Sequence, residues 1–141
     1  MKIYLASSWR NLHQPEVVRY LRELGHEVYD FRHPIPDNEG FSWREINPTW
    51  RHWCVEDFLE ALKHPVSERG FGYDMDALRA CDACVLLLPS GRSAHLEAGW
   101  AAGAGKRLVI FIPIYDEPEL MYLMAAGVVT SLIALRDALK A

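Results

Sequence analysis

Two segments, "ACVLLLP" from Ala83 and "RLVIFIP" from Arg107, run apolar at nearly every position. They constrain the fold more than anything else in the chain. A strand with one wet face alternates apolar and polar residues. A short run that is apolar throughout reads as a parallel strand covered by helices on both sides. Upstream, "KIYLAS" (Lys2–Ser7) reads as a first strand and "EVYDF" (Glu27–Phe31) as a second. Between them, Val17, Val18, Leu21 and Leu24 recur at helical spacing, with Pro15 in the first turn and Gly25 at the end. This alternation predicts an α/β chain, one domain over residues 1–141, with a doubly wound parallel sheet of the flavodoxin-like order 2-1-3-4-5.

The remaining segments are less regular. Residues 32–54 have no clean period and are rich in Pro and Trp, so they read as an irregular loop. Its Phe41, Trp43, Trp50 and Trp53 either stack on a base or anchor the loop, and anchoring is expected of most of them. "VEDFLEALK" predicts a helix stopped by Pro65, and a further helix is expected to open near Asp74. "EPELMYLMAAG" and "SLIALRDALKA" predict two closing helices, with a short strand at "VVT".

Composition and failed motifs remove several function classes. A net charge of −4 gives no basic footprint, so no nucleic acid polymer is expected as a partner. Single nucleotides need only a few local donors. No apolar run reaches membrane-spanning length, and no signal peptide is visible because the N-terminus turns polar after six residues. Three cysteines without framework spacing fit a reducing cytoplasm. "CDAC" enters a strand, which argues against redox use. The six histidines show no metal-ligand spacing. "GWAAGAGK" imitates a P-loop, but Trp100 and Arg107 stand where that motif needs Gly and Ser or Thr. Neither a metal nor a cofactor is expected.

In a sheet of this order, ligands bind beyond the carboxyl ends of the strands, where the winding reverses between strands one and three. The loops meeting there are "SSWRN" (Ser7–Asn11) and "PSGRS" (Pro89–Ser93). Ser7, Ser8, Trp9 and Arg10, with Ser90, Gly91 and Ser93, are therefore candidate substrate contacts. Hydroxyls, free N–H groups and a guanidinium suit a phosphate or a ribose hydroxyl, though solvated turns have the same composition. Glu97 follows one turn later, the only acid between Leu86 and Lys106. It is either a carboxylate favoured by the helix dipole or a reagent. With Ser93 as N-cap the reciprocal capping position falls on Leu96, so Glu97 is not placed to cap. Asp74 and Asp76 carry the simpler reading of helix-opening acids, and Asp82 that of a turn residue.

Together these residues resemble the nucleoside 2-deoxyribosyltransferase-like family, which includes deoxynucleoside 5′-phosphate N-hydrolases. The resemblance rests on the aromatic first strand, the Asp of "DMDALRAC", the Asp before the third strand and "EAGWAAGAGK". It implies that Glu97 attacks the sugar carbon bearing the base and that Asp74, eight residues before Asp82, serves the leaving nitrogen. It further implies that Tyr4 orients the glutamate and that Ser8 and Arg10 hold a 5′-phosphate. Six residues before Glu97, where the transferase branch has an acid, stands Gly91. The hydrolase branch has a serine there, and Ser90 and Ser93 are the nearest. A homo-oligomer is implied as well, because sites of this family are commonly completed by a neighbouring subunit. Gly99 and Gly103 would allow close helix approach, between copies or within one chain.

Two other functions fit the same residues. One is a non-catalytic nucleotide-binding or sensing module, which keeps Ser8 and Arg10 and tolerates loss of Glu97. The other is an interaction domain that docks through its Trp-rich loop.

Overall fold

The computed structural model describes all residues, 1–141. Five parallel strands form one sheet in the order β2-β1-β3-β4-β5. They are β1 (Lys2–Ala6), β2 (Glu27–Asp30), β3 (Ala83–Leu87), β4 (Arg107–Phe111) and β5 (Gly127–Val129). The helices are α1 (Gln14–Glu23), α2 (Val55–Leu62), α3 (Pro65–Ala80), α4 (Arg92–Gly103) and α5 (Leu132–Lys140). Short 3₁₀ turns occupy Trp43–Glu45, Trp50–His52 and Leu120–Met124.

Alternation along the strands divides the core in two. Ile3, Leu5, Val85, Leu87, Val109 and Phe111 pack with Val17, Val18 and Leu21 of α1 and Leu135 and Leu139 of α5. The residues between them, Tyr4, Ala6, Cys84, Leu86, Leu108 and Ile110, face Leu78 of α3 and Ala94, Ala98 and Ala101 of α4. Both faces of β3 are thus covered, and all five of its residues are buried. This is the physical reason for its unbroken apolar run.

Three expectations need correction. The helix expected to open near Asp74 begins at Pro65, so Asp74 lies in its interior and caps nothing. Pro65 starts this helix: its fixed φ suits the first helical position, and the His64 ring accepts the Val66 N–H at 3.1 Å. Gly70 and Gly72 mask the helical pattern, and Gly70 has a packing reason. An added Cβ there would lie 3.2 Å from the Phe41 side chain.

The second correction concerns Ser93, which is not the N-cap of α4. Gly91 holds that position, no side chain caps the helix, and Ser93 is exposed.

The third concerns "EPELMYLMAAG", which forms only the 3₁₀ turn at Leu120–Met124. The sheet claims the backbone directly after it, since the Ala126 N–H donates to the Leu108 carbonyl at 2.8 Å.

The loop from residue 32 to 54 is anchored by its own aromatics. Trp43 meets Phe41, Trp53 and Phe58 edge to face at 4.7, 5.8 and 5.9 Å between centroids. Its first half closes over Trp9 at Gly40, which combines φ +84° with the tightest contact of any glycine. An added Cβ would sit 2.7 Å from both the Phe31 carbonyl oxygen and the Trp9 ring. Gly40→Ala is therefore expected to cost about 2–4 kcal/mol, from left-handed strain plus overpacking. Urea unfolding measures the loss, and a change in tryptophan emission would report the displaced Trp9 ring.

Candidate active site

The site is assembled on the α3/α4 face of the sheet. Ala94, Ala98 and Ala101 seat α4 closely against the strands, and Glu97 falls in that same stripe, three residues after Ala94 and four before Ala101. On α3, Ser67 and Leu78 are the buried positions, and Asp74 lies on their stripe. Both acids are consequently turned toward the sheet. Below them stand two tyrosines on adjacent strands. Tyr4 and Tyr29 are register partners, stacked with ring centroids 5.1 Å apart at 21°.

The electrostatics follow from this placement. Burial, and then the like charge of Asp74, push the Glu97 carboxyl up to about 8, while Tyr4 pulls it back part of the way. The Asp74 carboxyl is also raised by burial, opposed by the Tyr29 hydroxyl, which donates to Asp74 Oδ1 at 2.8 Å. Tyr4 is wholly buried and its hydroxyl has no hydrogen-bond partner, yet it acts to lower the Glu97 carboxyl. Both phenols are driven above their usual range, chiefly by burial, and hold their protons. Glu97, Asp74 and Tyr4 are therefore brought into one electrostatic cluster.

The loop candidates fare differently. The Ser7 hydroxyl donates to the Leu87 carbonyl at 3.0 Å, so its proton is committed to joining the β1 and β3 ends. Ser8 Oγ accepts the Arg10 N–H at 3.2 Å, while the Arg10 side chain is exposed and makes no hydrogen bond or ion pair within the chain. Trp9 is half exposed and packs edge to face on Phe31 at 5.4 Å. Ser90 Oγ lies 3.4 Å from His95 Nδ1, and the Gly91 carbonyl lies 2.9 Å from the same nitrogen. A carbonyl only accepts, so Nδ1 carries hydrogen toward Gly91. In the neutral ring Nε2 then accepts from the Tyr122 hydroxyl at 2.9 Å.

Three contributors escaped the sequence pattern. Tyr29 is one; its signal is the shared register with Tyr4. Asn11 is another, donating to the Pro89 carbonyl at 3.0 Å and so stapling the two loops together. The third is Arg32, whose Nη2 reaches the carbonyls of Ser8, Trp9 and Asn11 at 3.1, 3.0 and 2.9 Å. In a trans peptide the N–H opposes the C=O, so gathering these carbonyls turns the N–H groups of Trp9, Arg10 and Leu12 the other way. Asp30 supports the clamp. It accepts from Gln14 at 2.7 Å, from the Arg32 N–H at 3.0 Å and pairs with His33 at 3.0 Å. Burial opposes its charge, but these bonds keep its carboxyl below the usual range.

The motif-like lysine is structural. Lys106 Nζ donates to the Arg79 and Cys81 carbonyls at 2.7 and 2.8 Å and so closes the end of α3. Cys81 and Cys84 are buried free thiols. No three His, Cys, Asp or Glu side chains are grouped to hold a metal ion. No helix is long and apolar enough to cross a membrane. A groove of about 990 Å³ runs along the open edge of β2 between Pro34–Gly40 and Ala77–Cys81. It is lined in part by Tyr29 but by neither Glu97 nor Asp74.

No family model matches the chain. It is 35% identical over 115 residues to the autotransporter heptosyltransferase Aah of Escherichia coli, an alignment covering 81% of this chain and 25% of that protein. The chain thus spans about a quarter of that relative's length. Among solved structures it is similar to a 2-deoxyribosyltransferase of Bacillus psychrosaccharolyticus, with a TM-score of 0.60 and 24% identity over 86% of this chain and 79% of that one. It is also similar to the CMP N-glycosidase BcmB of Clostridium botulinum, with a TM-score of 0.55 and 16% identity over the whole of both chains. At these identities the likeness is one of fold. The resemblance first drawn from Tyr4, Asp74 and Glu97 and the five-stranded order 2-1-3-4-5 are consistent with both structures.

Proposed function

We propose that this chain belongs to the nucleoside 2-deoxyribosyltransferase-like family and cleaves or transfers at the N-glycosidic bond of a nucleoside or 5′-nucleotide. The observation that carries this reading is the carboxylate pair. Glu97 and Asp74 share one desolvated site over the stacked tyrosines, on a fold also found in a deoxyribosyltransferase and an N-glycosidase. Breaking a C–N glycosidic bond builds positive charge on the sugar, which a carboxylate beneath C1′ stabilises. Glu97 then forms the glycosyl-enzyme bond as the base departs, and water or a second base resolves it. Asp74 protonates the leaving nitrogen, and Tyr4 steers Glu97. The exposed Arg10, with Ser8 and the outward N–H groups of its loop, suits a 5′-phosphate. Remote binding of that group would hold the sugar in place.

The reading includes a homo-oligomer acting in the cytoplasm. An added Cβ at Gly99 or Gly103 would meet nothing within 4 Å, so these glycines answer no packing need inside the chain. Leu96 on the same helix is 76% exposed, which fits a face of α4 that meets a second copy.

The heptosyltransferase match favours a second reading, in which the same fold is a non-catalytic nucleotide-binding part of a larger glycosyl-transferring protein. One experiment separates the two. Free-base release is followed by chromatography from a panel of nucleosides and 5′-nucleotides, with and without an acceptor base, for wild type and Glu97→Ala. Release that is lost in the variant supports the enzyme, and dependence on the acceptor identifies a transferase. Nucleotide binding by both proteins without any release would overturn the enzyme in favour of the binding module.

A further inference from the structure

The two tyrosines divide the two acids between them. Tyr4, on β1, acts on Glu97, and Tyr29, its register partner on β2, donates directly to Asp74. We infer that Tyr29 is a positioning residue for the leaving-group acid: its hydroxyl fixes the Asp74 carboxyl and takes up the negative charge that appears there as the base is protonated. This rests on the N-glycosidic reading above.

The step balances as follows. A Glu97 carboxylate oxygen bonds to C1′ as the C1′–N bond breaks, and that bond's electron pair leaves with the base. The pair holds a single proton; in the reactive form it sits on Asp74 with Glu97 ionised, and it moves from Asp74 to the base nitrogen, leaving Asp74 a carboxylate. A donor already aimed at Asp74 Oδ1 at 2.8 Å bonds more strongly to that anion than to the neutral acid. Its contribution therefore grows along the reaction and falls on kcat.

Several features suit Tyr29 to the task. Glu97 is acted on by Asp74 and by Tyr4 on β1, and Asp74 by Tyr29 on β2. Of these only Tyr29 is hydrogen-bonded to Asp74. Cys84 on β3, raised by burial, is a neutral neighbour. Tyr29 holds its own proton well above neutral pH and so remains a donor. Stacking on Tyr4 fixes the ring independently of the hydroxyl.

Tyr29→Phe keeps that stack and removes only the O–H. The test compares wild type, Tyr29→Phe and Asp74→Asn on two substrates. One is a nucleotide that the wild type cleaves. The other is a 4-nitrophenyl deoxyriboside, whose phenolate departs without a proton. Tyr29→Phe is expected to lower kcat on the nucleotide by about 10- to 100-fold with KM within about 3-fold, while turnover of the nitrophenyl substrate stays near wild type. Carbon-13 NMR of the carboxyls, assigned with Asp74→Asn, should show Asp74 titrating at higher pH in Tyr29→Phe. Equal losses on both substrates, or an unmoved Asp74 titration, would overturn the inference while leaving the N-glycosidic reading standing. A wild type that releases base from no nucleotide and leaves the nitrophenyl substrate intact overturns that reading, and this inference with it.

Discussion

Glu97→Gln is expected to remove base release while making the protein more stable in alkaline solution. The rate loss should be on the order of 10³-fold or more, since a nucleophile worth about 4 kcal/mol of barrier is deleted. The stability gain follows from proton linkage. Glu97 has an ordinary value of 4.5, raised to about 8 in the folded protein. Between these values the folded state binds more protons than the unfolded one, so stability falls as pH rises through that window. Below about 4.5 both states are protonated and the residue costs nothing. Above about 8 both are ionised and the folded state bears the whole penalty of a desolvated anion beside Asp74. Glutamine is neutral throughout, so Glu97→Gln should gain roughly 2–4 kcal/mol at pH 9 and close to nothing at pH 4. Urea unfolding of both proteins across this range measures it, and parallel curves would show that Glu97 carries no such penalty. The same pair sets the activity profile: it holds the one proton the reaction needs between the Asp74 and Glu97 ionisations, so kcat/KM of the wild type should rise in the acid range and fall above about 8, where that last proton is lost.

Arg32→Met should destabilise the fold by about 2–4 kcal/mol. Methionine retains much of the apolar stem against Trp9 and Phe31, whose rings lie 5.5 and 5.8 Å from the guanidinium carbon. It removes the donor shared by three carbonyls, each of which costs about 1 kcal/mol or more if left poorly satisfied. The freed loop carries Ser8 and Arg10, so KM should rise more than kcat falls, and more for a 5′-nucleotide than for its nucleoside. Urea unfolding gives the stability, and paired kinetics on nucleotide and nucleoside give the split. An unchanged KM for both would sever Arg32 from substrate binding.

Local patterning along the chain is enough to specify the sheet. The runs at Ala83 and Arg107 and the helical spacing from Val17 to Leu21 each report local burial, and together they lead to the sheet order found. That order places Ser7–Asn11 and Pro89–Ser93 together, which Ser7 and Asn11 make concrete through bonds to the Leu87 and Pro89 carbonyls. Helix ends were harder to read. Asp74 resembles an opening residue because the glycines before it break the pattern, yet Phe41, 29 positions before Gly70, explains that glycine. Only the tertiary structure decided that the acids of two helices converge over two tyrosines, and that Arg32 holds the loop after β1. Those features depend on which strands lie side by side and on how deeply each carboxyl is withdrawn from water. A carboxylate has the same composition on a wet surface and in a desolvated site. Its proton affinity, and with it its chemistry, is set by neighbours that are distant in sequence.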